Sequence, residues 1–177
     1  LWRFPPLRLE AEPIRDSILW AAGKLDLTRG GPGYDVFEPN SNYVRIYTPK
    51  QKIGPPEFRR MVYQFKPRMQ QDGTFGCFDC PDGGQIAPRR TSSTTPLQAL
   101  NMLNSHFMLQ QANFLAQRLK KEAGENVEAQ VRRAFMLAFT REPDADEMRC
   151  SAKLIQSDGL TIFCRALLNA NEFYYVY

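Results

Sequence analysis

The chain has 177 residues, 43% of them apolar and 12% aromatic, which is typical of a folded globular domain and excludes disorder as its main state. Lys plus Arg outnumber Asp plus Glu by 23 to 19, a formal net charge of only +4 without a run of five like charges, which is weak support for nucleic-acid binding. No stretch approaches the roughly 18 consecutive apolar residues of a transmembrane helix. We therefore expect no nucleic-acid partner and no membrane insertion.

One amphipathic helix is predicted in residues 1–26. Apolar residues recur at spacings near 3.6 over residues 9–22, and Gly23 follows as a stop signal. Pro13 falls in the first turn, where its missing N–H group costs nothing.

The middle region, residues 27–93, is rich in Gly, Pro and aromatic residues, which disfavours long regular elements. Residues 42–48 are rich in β-branched and aromatic side chains in an alternating pattern, which predicts a strand. Residues 57–65 follow a Pro-Pro pair, place apolar residues at helical spacing and predict a short helix. The many aromatic side chains favour packing of this region over disorder.

Residues 94–177 are predicted to be helical throughout. Thr95, Pro96 and Gln98 form a capping-box start signal, and Asp144 with Glu147 repeats that spacing. The predicted helices run from the Thr95 cap to about residue 104, from a Ser105 cap to Gly124, over 127–139, from Asp144 to Gly159, and from residue 160 to about 169. We expect a mainly α fold with a C-terminal bundle of about five helices, an irregular Gly/Pro/aromatic-rich N-terminal half and little β structure.

A single domain spanning residues 1–177 is expected, divided into a helix (1–26), an irregular loop-rich region (27–93) and a helical bundle (94–177). The chain begins at Leu1 without an initiator Met or a signal peptide, so we expect a segment of a larger polypeptide.

Cys77 and Cys80 have the C-x-x-C spacing of zinc, redox and haem-attachment motifs. Haem attachment requires a His where Pro81 stands, and zinc requires four ligands in a chain whose one His is His106. Unpaired thiols, a local or redox-active disulfide and a metal site stay open, and we expect no metal. The other two cysteines, Cys150 and Cys164, are expected to be small core residues on helices.

Charged residues of the middle region are candidates for binding an anionic ligand. They are Arg59, Arg60, Arg68, Asp79, Asp82, Arg89 and Arg90. Arginine pairs with carboxylate, phosphate or sulfate through two hydrogen bonds, and Asp pairs can serve acid/base chemistry. The alternative is that these residues tie irregular loops together and cap turns. His106, without a second histidine, is expected at a surface or interface.

Several strings occur together in a fixed order along the chain. They are Arg8-Leu9-Glu10-Ala11-Glu12, Gly30-Gly31-Pro32, Phe58-Arg59-Arg60, Phe78-Asp79, Thr94-Thr95-Pro96-Leu97-Gln98, Arg141-Glu142-Pro143 and Leu167-Leu168-Asn169-Ala170-Asn171-Glu172-Phe173. In this order they resemble the planctomycete-specific domain of unknown function 1553, essentially from end to end. Members usually begin upstream of a string like Leu1-Trp2-Arg3, so the chain looks like the C-terminal part of the domain.

The resemblance implies which domains accompany this one and where the protein is located, but it implies no catalytic chemistry. Members of the family typically carry a second planctomycete-specific domain and often a c-type cytochrome domain in a long secreted or periplasmic polypeptide. The implied partners are companion domains of the same polypeptide, including a c-type cytochrome domain, and the implied location is extracytoplasmic. The family brings no established catalytic residues, and the position of Cys80 departs from its usual pattern.

Three hypotheses of function follow. The chain contains no G-x-S-x-G, P-loop or G-x-G-x-x-G string, which favours a non-catalytic structural or interaction module without a cofactor in this segment. The alternatives are an enzyme acting on an anionic carbohydrate through the Arg- and Asp-rich middle region, and a redox partner of a cytochrome domain through Cys77 and Cys80.

Overall fold

A computed structural model of the protein describes residues 5–41, 43–68, 70–81, 83–84, 86 and 88–176. Its regular elements, in chain order, are β1 (Leu7–Arg8), α1 (Ala11–Ala21), α2 (Pro96–Asn104), α3 (His106–Ala123), α4 (Val127–Ala138), α5 (Ala145–Asp158), α6 (Leu160–Leu168), α7 (Asn171–Tyr174) and β2 (Tyr175–Val176). Three 3-10 turns, Pro55–Phe58, Met61–Tyr63 and Gly76–Phe78, interrupt the middle region. None of the described helices is long and apolar enough to cross a membrane.

Helices α2 to α6 form the predicted mainly α bundle, which confirms the fold class. The long helix α3 packs against α4 and α6, and α5 packs against α4 and α6. Leu115 and Leu119 of α3, together with Cys164 and Leu168 of α6, are completely buried in the core. Cys150, by contrast, is exposed on α5, so the prediction that it is a core residue was wrong.

Local start signals explain why the helices begin where they do. The Ser105 hydroxyl accepts a hydrogen bond from the Met108 N–H, 3.4 Å away. Asp144 and Glu147 form a reciprocal capping box, with each carboxylate accepting from the other residue's N–H at 2.8 Å. These contacts satisfy N–H groups that the first turn of a helix leaves without a backbone partner.

Helix α1 and the two-stranded sheet join the two ends of the described chain. Strand β1 pairs antiparallel with β2, Leu7 opposite Val176 and Arg8 opposite Tyr175. The apolar face of α1, with Ile14 fully buried, faces the bundle core. The predicted helix over residues 9–22 is confirmed, although it begins at Ala11 and ends at Ala21.

The predicted strand over residues 42–48 was wrong for residues 43–48, and Asn42 lies outside the described residues. The flanking backbone forms an isolated antiparallel bridge between Phe37 and Pro49. The Glu38 N–H donates to the Thr48 carbonyl at 2.8 Å, but residues 43–47 pair with no strand of the described chain. Alternating side chains favour a strand only when a second strand supplies the hydrogen bonds.

Two 3-10 turns replace the helix predicted over residues 57–65. The carbonyls of Glu57 and Arg59 accept hydrogen bonds from the Arg15 guanidinium, at 2.5 and 2.9 Å, instead of from backbone N–H groups four residues later. The Met61 N–H donates to the Asp16 carboxylate at 2.8 Å. Side chains of α1 thus take up the backbone groups that an α-helix here would need.

Arg15 joins α1, the middle region and α3. Its side chain is almost completely buried, and the guanidinium lies 5.1 Å from the ring centroid of Tyr34 and 5.6 Å from that of Phe107. Burial lowers the pKa of Arg15 because the charged form loses solvation. The nearest carboxylate oxygen, on Asp16, is 4.0 Å from Nη1.

Replacement of Arg15 is expected to destabilise the fold strongly. In Arg15→Met, the buried carbonyls of Glu57 and Arg59 lose their donors, and we expect the free energy of unfolding to fall by about 3 kcal/mol. Arg149→Met is the control, because the Arg149 side chain is 77% exposed and its loss should cost no more than about 0.5 kcal/mol. Urea denaturation of both variants measures the difference, and equal midpoints would contradict the role of Arg15.

Candidate functional site

Arg59 and Arg60, although adjacent in sequence, bind different parts of the molecule. Arg59 donates to the carbonyls of Thr28, Gly30 and Pro32, and its guanidinium lies 4.0 Å from the ring centroid of Tyr63. Arg60 donates from Nε to the Asp16 carboxylate at 3.2 Å. The first arginine therefore organises a glycine-rich turn, and the second fastens the middle region to α1.

Asp79 connects three segments that are distant in sequence. Its backbone adopts a left-handed conformation, with φ of 57°, directly after the turn Gly76–Phe78. The carboxylate accepts hydrogen bonds from Arg8 Nη2 at 2.7 Å and from both the N–H and hydroxyl groups of Ser93 at 2.8 Å. With these donors, Asp79 holds β1 beside the segment that leads into α2.

A second cluster forms around Glu12, at the start of α1. Arg90 donates to both Glu12 oxygens, at 2.7 and 3.0 Å, and also to Glu10 at 2.9 Å. Lys66 Nζ lies 3.1 Å from Glu12 Oε1 and 3.0 Å from the Sγ atom of Cys80. We call Glu12, Lys66, Cys80 and Arg90 the lysine–cysteine cluster.

Electrostatics hold the lysine–cysteine cluster in one protonation state near neutral pH. Burial raises the pKa of Glu12, but the hydrogen bonds from Arg90 and Lys66 outweigh it and lower the pKa from 4.5 to about 2. Burial raises the pKa of the Cys80 thiol, and the hydrogen bond from Lys66 only partly offsets this. Glu12 is therefore a carboxylate and Cys80 a thiol.

The two cysteines of the C-x-x-C string are free thiols with different neighbours. The Sγ atom of Cys77 accepts a hydrogen bond from the Asn101 amide of α2 at 3.2 Å and donates to the Thr74 carbonyl at 3.3 Å. Burial raises the pKa of Cys77 as well. Neither thiol has the lowered pKa that activates redox-catalytic cysteines.

The remaining candidate residues do not extend these clusters. Arg68 and Arg89 are exposed, and neither makes a hydrogen bond or ion pair within the described residues. Asp82 lies outside the described residues. Among the residues that are described, no three His, Cys, Asp or Glu side chains come close enough together to hold a metal ion.

A cavity of about 280 Å³ lies between the middle region and helices α2 and α3. Phe37, Phe75 and Phe107 supply aromatic walls, and the charged groups of Arg15 and Lys50 lie at its lining. Lys50 is itself bound to the Glu57 carboxylate, 2.6 Å away. His106 is exposed, as expected, and also lines this cavity.

Exposed apolar side chains occupy the loop between the bridged residues Phe37 and Pro49. We call residues 43–47 the apolar tip. The side chains of Tyr43, Val44 and Ile46 are 106%, 73% and 58% exposed. The Arg45 guanidinium lies over the rings of Tyr47 and Phe65, at 5.1 and 5.3 Å from their centroids, and Phe65 is itself 43% exposed.

Glu12, Lys66 and Arg15 were not among the site residues predicted from the sequence. Glu12 and Lys66 are 54 positions apart, and Cys80 follows 14 positions later. No spacing rule links residues at such separations, because most of the chain between them has no regular structure. The β-branched and aromatic residues over residues 42–48 were a visible signal, but they were interpreted as a strand rather than as an exposed apolar surface.

The lowered pKa of Glu12 makes the stability of the fold depend on pH. Because the folded pKa of about 2 is below the ordinary 4.5, the stabilisation is complete above about pH 4.5 and disappears as the pH falls toward 2. We expect Glu12→Gln to lose about 1–2 kcal/mol at pH 7 and nothing at about pH 2. Urea denaturation across this range measures it, with the exposed Glu125→Gln as control; a loss in Glu12→Gln that does not change with pH would contradict the assignment.

One protein family matches most of the chain. The family is described as PSD1, protein of unknown function (DUF1553), and the match covers residues 1–155. Helices α6 and α7 and strand β2 lie beyond it, so the match is shorter than the end-to-end resemblance of the sequence suggests. No curated protein and no solved structure gives a significant match. The chain therefore belongs to the PSD1 family of proteins of unknown function (DUF1553).

Proposed function

We propose that this domain is a non-catalytic interaction module of a larger extracytoplasmic polypeptide. The observation that carries the proposal is the apolar tip, whose Tyr43, Val44 and Ile46 side chains face solvent. Contiguous apolar side chains in water cost free energy that contact with a partner recovers, and such patches mark interaction sites on soluble domains.

The charged residues of the middle region support the same proposal. Arg59, Arg60, Asp79 and Arg90 bond to carbonyls, carboxylates or hydroxyls of this same chain. A ligand would have to displace those partners, and each displacement costs the free energy of a charge-assisted hydrogen bond. The charges therefore serve the fold of the irregular region.

The partner that fits the apolar tip is an exposed strand edge of a companion domain. Apart from Arg45, residues 43–47 are aromatic or β-branched, and their N–H groups donate to no backbone carbonyl of the described chain. A strand edge supplies those hydrogen bonds and covers the alternate side chains. The family resemblance suggests a companion in the same polypeptide, such as its c-type cytochrome domain.

Photo-cross-linking tests the module proposal directly. A photoreactive phenylalanine analogue replaces Val44 in the full-length polypeptide, expressed in its native host, and matched protein carries the analogue at Lys153, an exposed position on α5. We expect cross-links from position 44 to one companion domain, located by mass spectrometry, and none to that domain from position 153. Absence of cross-links from position 44, or the same pattern from both positions, would contradict the proposal.

A second candidate function, an enzyme acting on an anionic carbohydrate, draws on the cavity of about 280 Å³ with Arg15 and Lys50 at its lining. Its volume is near the lower end for small-molecule sites. Under this candidate, sulfated or uronic-acid disaccharides raise the unfolding temperature of the wild-type protein, and Lys50→Ala reduces that shift. Unchanged unfolding temperatures with every such sugar would eliminate it.

A further inference from the structure

Lys66 and Cys80 bring an amine and a thiol into direct contact. The distance from Nζ to Sγ is 3.0 Å, and Glu12 Oε1 lies 3.1 Å from that nitrogen and 3.7 Å from that sulfur. The contact joins two loops that no regular element connects. None of the roles assigned above uses the thiol of Cys80.

The surroundings hold the two groups in place. Arg90 binds both oxygens of Glu12, which fixes the carboxylate that Lys66 contacts. Gly83 packs so closely on the Lys66 backbone that a Cβ atom there would lie 2.7 Å from the Lys66 carbonyl oxygen. Gly83 follows Cys80 by three residues, so its close approach to the Lys66 backbone keeps Cys80 beside Lys66.

Access to the pair is limited to small molecules. Cys80 is only 7% exposed, whereas the Lys66 side chain is 31% exposed at the edge of a groove on the surface. A sulfur so little exposed favours reaction with a small oxidant such as dioxygen over reaction with a bulky thiol reagent. The amine is then the nearest nucleophile to any oxidised form of the sulfur.

We propose that Lys66 and Cys80 form a covalent cross-link in which a single oxygen atom, taken from dioxygen, bridges the lysine nitrogen and the cysteine sulfur. This inference does not rest on the interaction role of the domain. The link joins residues 66 and 80 and encloses the turn Gly76–Phe78, so it fastens part of the irregular region under oxidising conditions.

The chemistry balances with one dioxygen molecule. Dioxygen adds to the Cys80 thiol and forms an S–O bond, giving a sulfur-bound hydroperoxide that carries the thiol proton. Burial lowers the pKa of Lys66, but its contacts with Cys80 and Glu12 outweigh this and raise it, so the Lys66 ammonium first releases one proton to solvent. The resulting amine attacks the oxygen attached to sulfur, the O–O bond breaks, and the departing hydroxide leaves as water with a second proton from nitrogen. Sulfur and nitrogen each lose two electrons, and dioxygen accepts all four.

Cys77 is not the partner in this link. Its sulfur lies against the Asn101 amide and the Thr74 carbonyl, on the side of the loop that faces α2. Oxidation of Cys80 by Cys77 would instead give a disulfide, which removes two hydrogen atoms and adds no oxygen. The two products therefore differ in mass and in their dependence on Cys77.

Intact mass spectrometry of the purified protein tests the proposal. Protein prepared without oxygen is divided, and one half is held in air-saturated buffer. We expect most of the aerated protein to gain about 14 Da, from one added oxygen and two lost hydrogens. Dithiothreitol should return the original mass, and peptide mapping should join the peptide with Lys66 to the peptide with Cys80.

Matched variants distinguish the link from other oxidations. Lys66→Arg keeps the positive charge beside Glu12 but removes the nucleophilic amine, so it should lose the mass gain, whereas Cys77→Ser should keep it. Circular dichroism confirms that both variants are folded. An unchanged mass of the aerated wild-type protein, or a loss of about 2 Da that disappears in Cys77→Ser, would overturn the proposal.

Discussion

A buried guanidinium organises this fold. Arg15 extends from α1 between the rings of Tyr34 and Phe107 and donates to the carbonyls of Glu57 and Arg59. Because an unpaired backbone carbonyl in the interior is costly, these two bonds fix the course of a segment that has no ladder of its own. The irregular region is thus held against the helical bundle from inside.

The polar face of α1 continues the same arrangement at the surface. Glu12 and Asp16 are four residues apart and lie on one side of the helix. Glu12 binds Lys66 and Arg90, and Asp16 binds Arg60 and the Met61 N–H. One helix therefore presents apolar side chains to the bundle and carboxylates to the loops. This division explains how a region rich in Gly and Pro remains packed.

The same contacts bear on the function that we propose for the domain. Arg59, Arg60, Asp79 and Arg90, which suggest an anion site in the sequence, are engaged in holding loops together. The proposed interaction role therefore rests on the apolar tip. The lysine–cysteine cluster arises from this packing as well, since Glu12 orients Lys66 toward Cys80. The proposed interaction surface and the proposed link between Lys66 and Cys80 share no residues.

The sequence by itself determined the helices, because their signals are local: an apolar period near 3.6, the Ser105 cap and the capping box of Asp144 with Glu147 all act within a few residues. Only the tertiary structure decided the rest. Residues 43–48 carry strand propensity but meet no partner strand, and residues 57–65 lose their helical bonds to α1. The contact between Lys66 and Cys80 depends on how loops fold back on α1, and spacing along the chain does not encode that path.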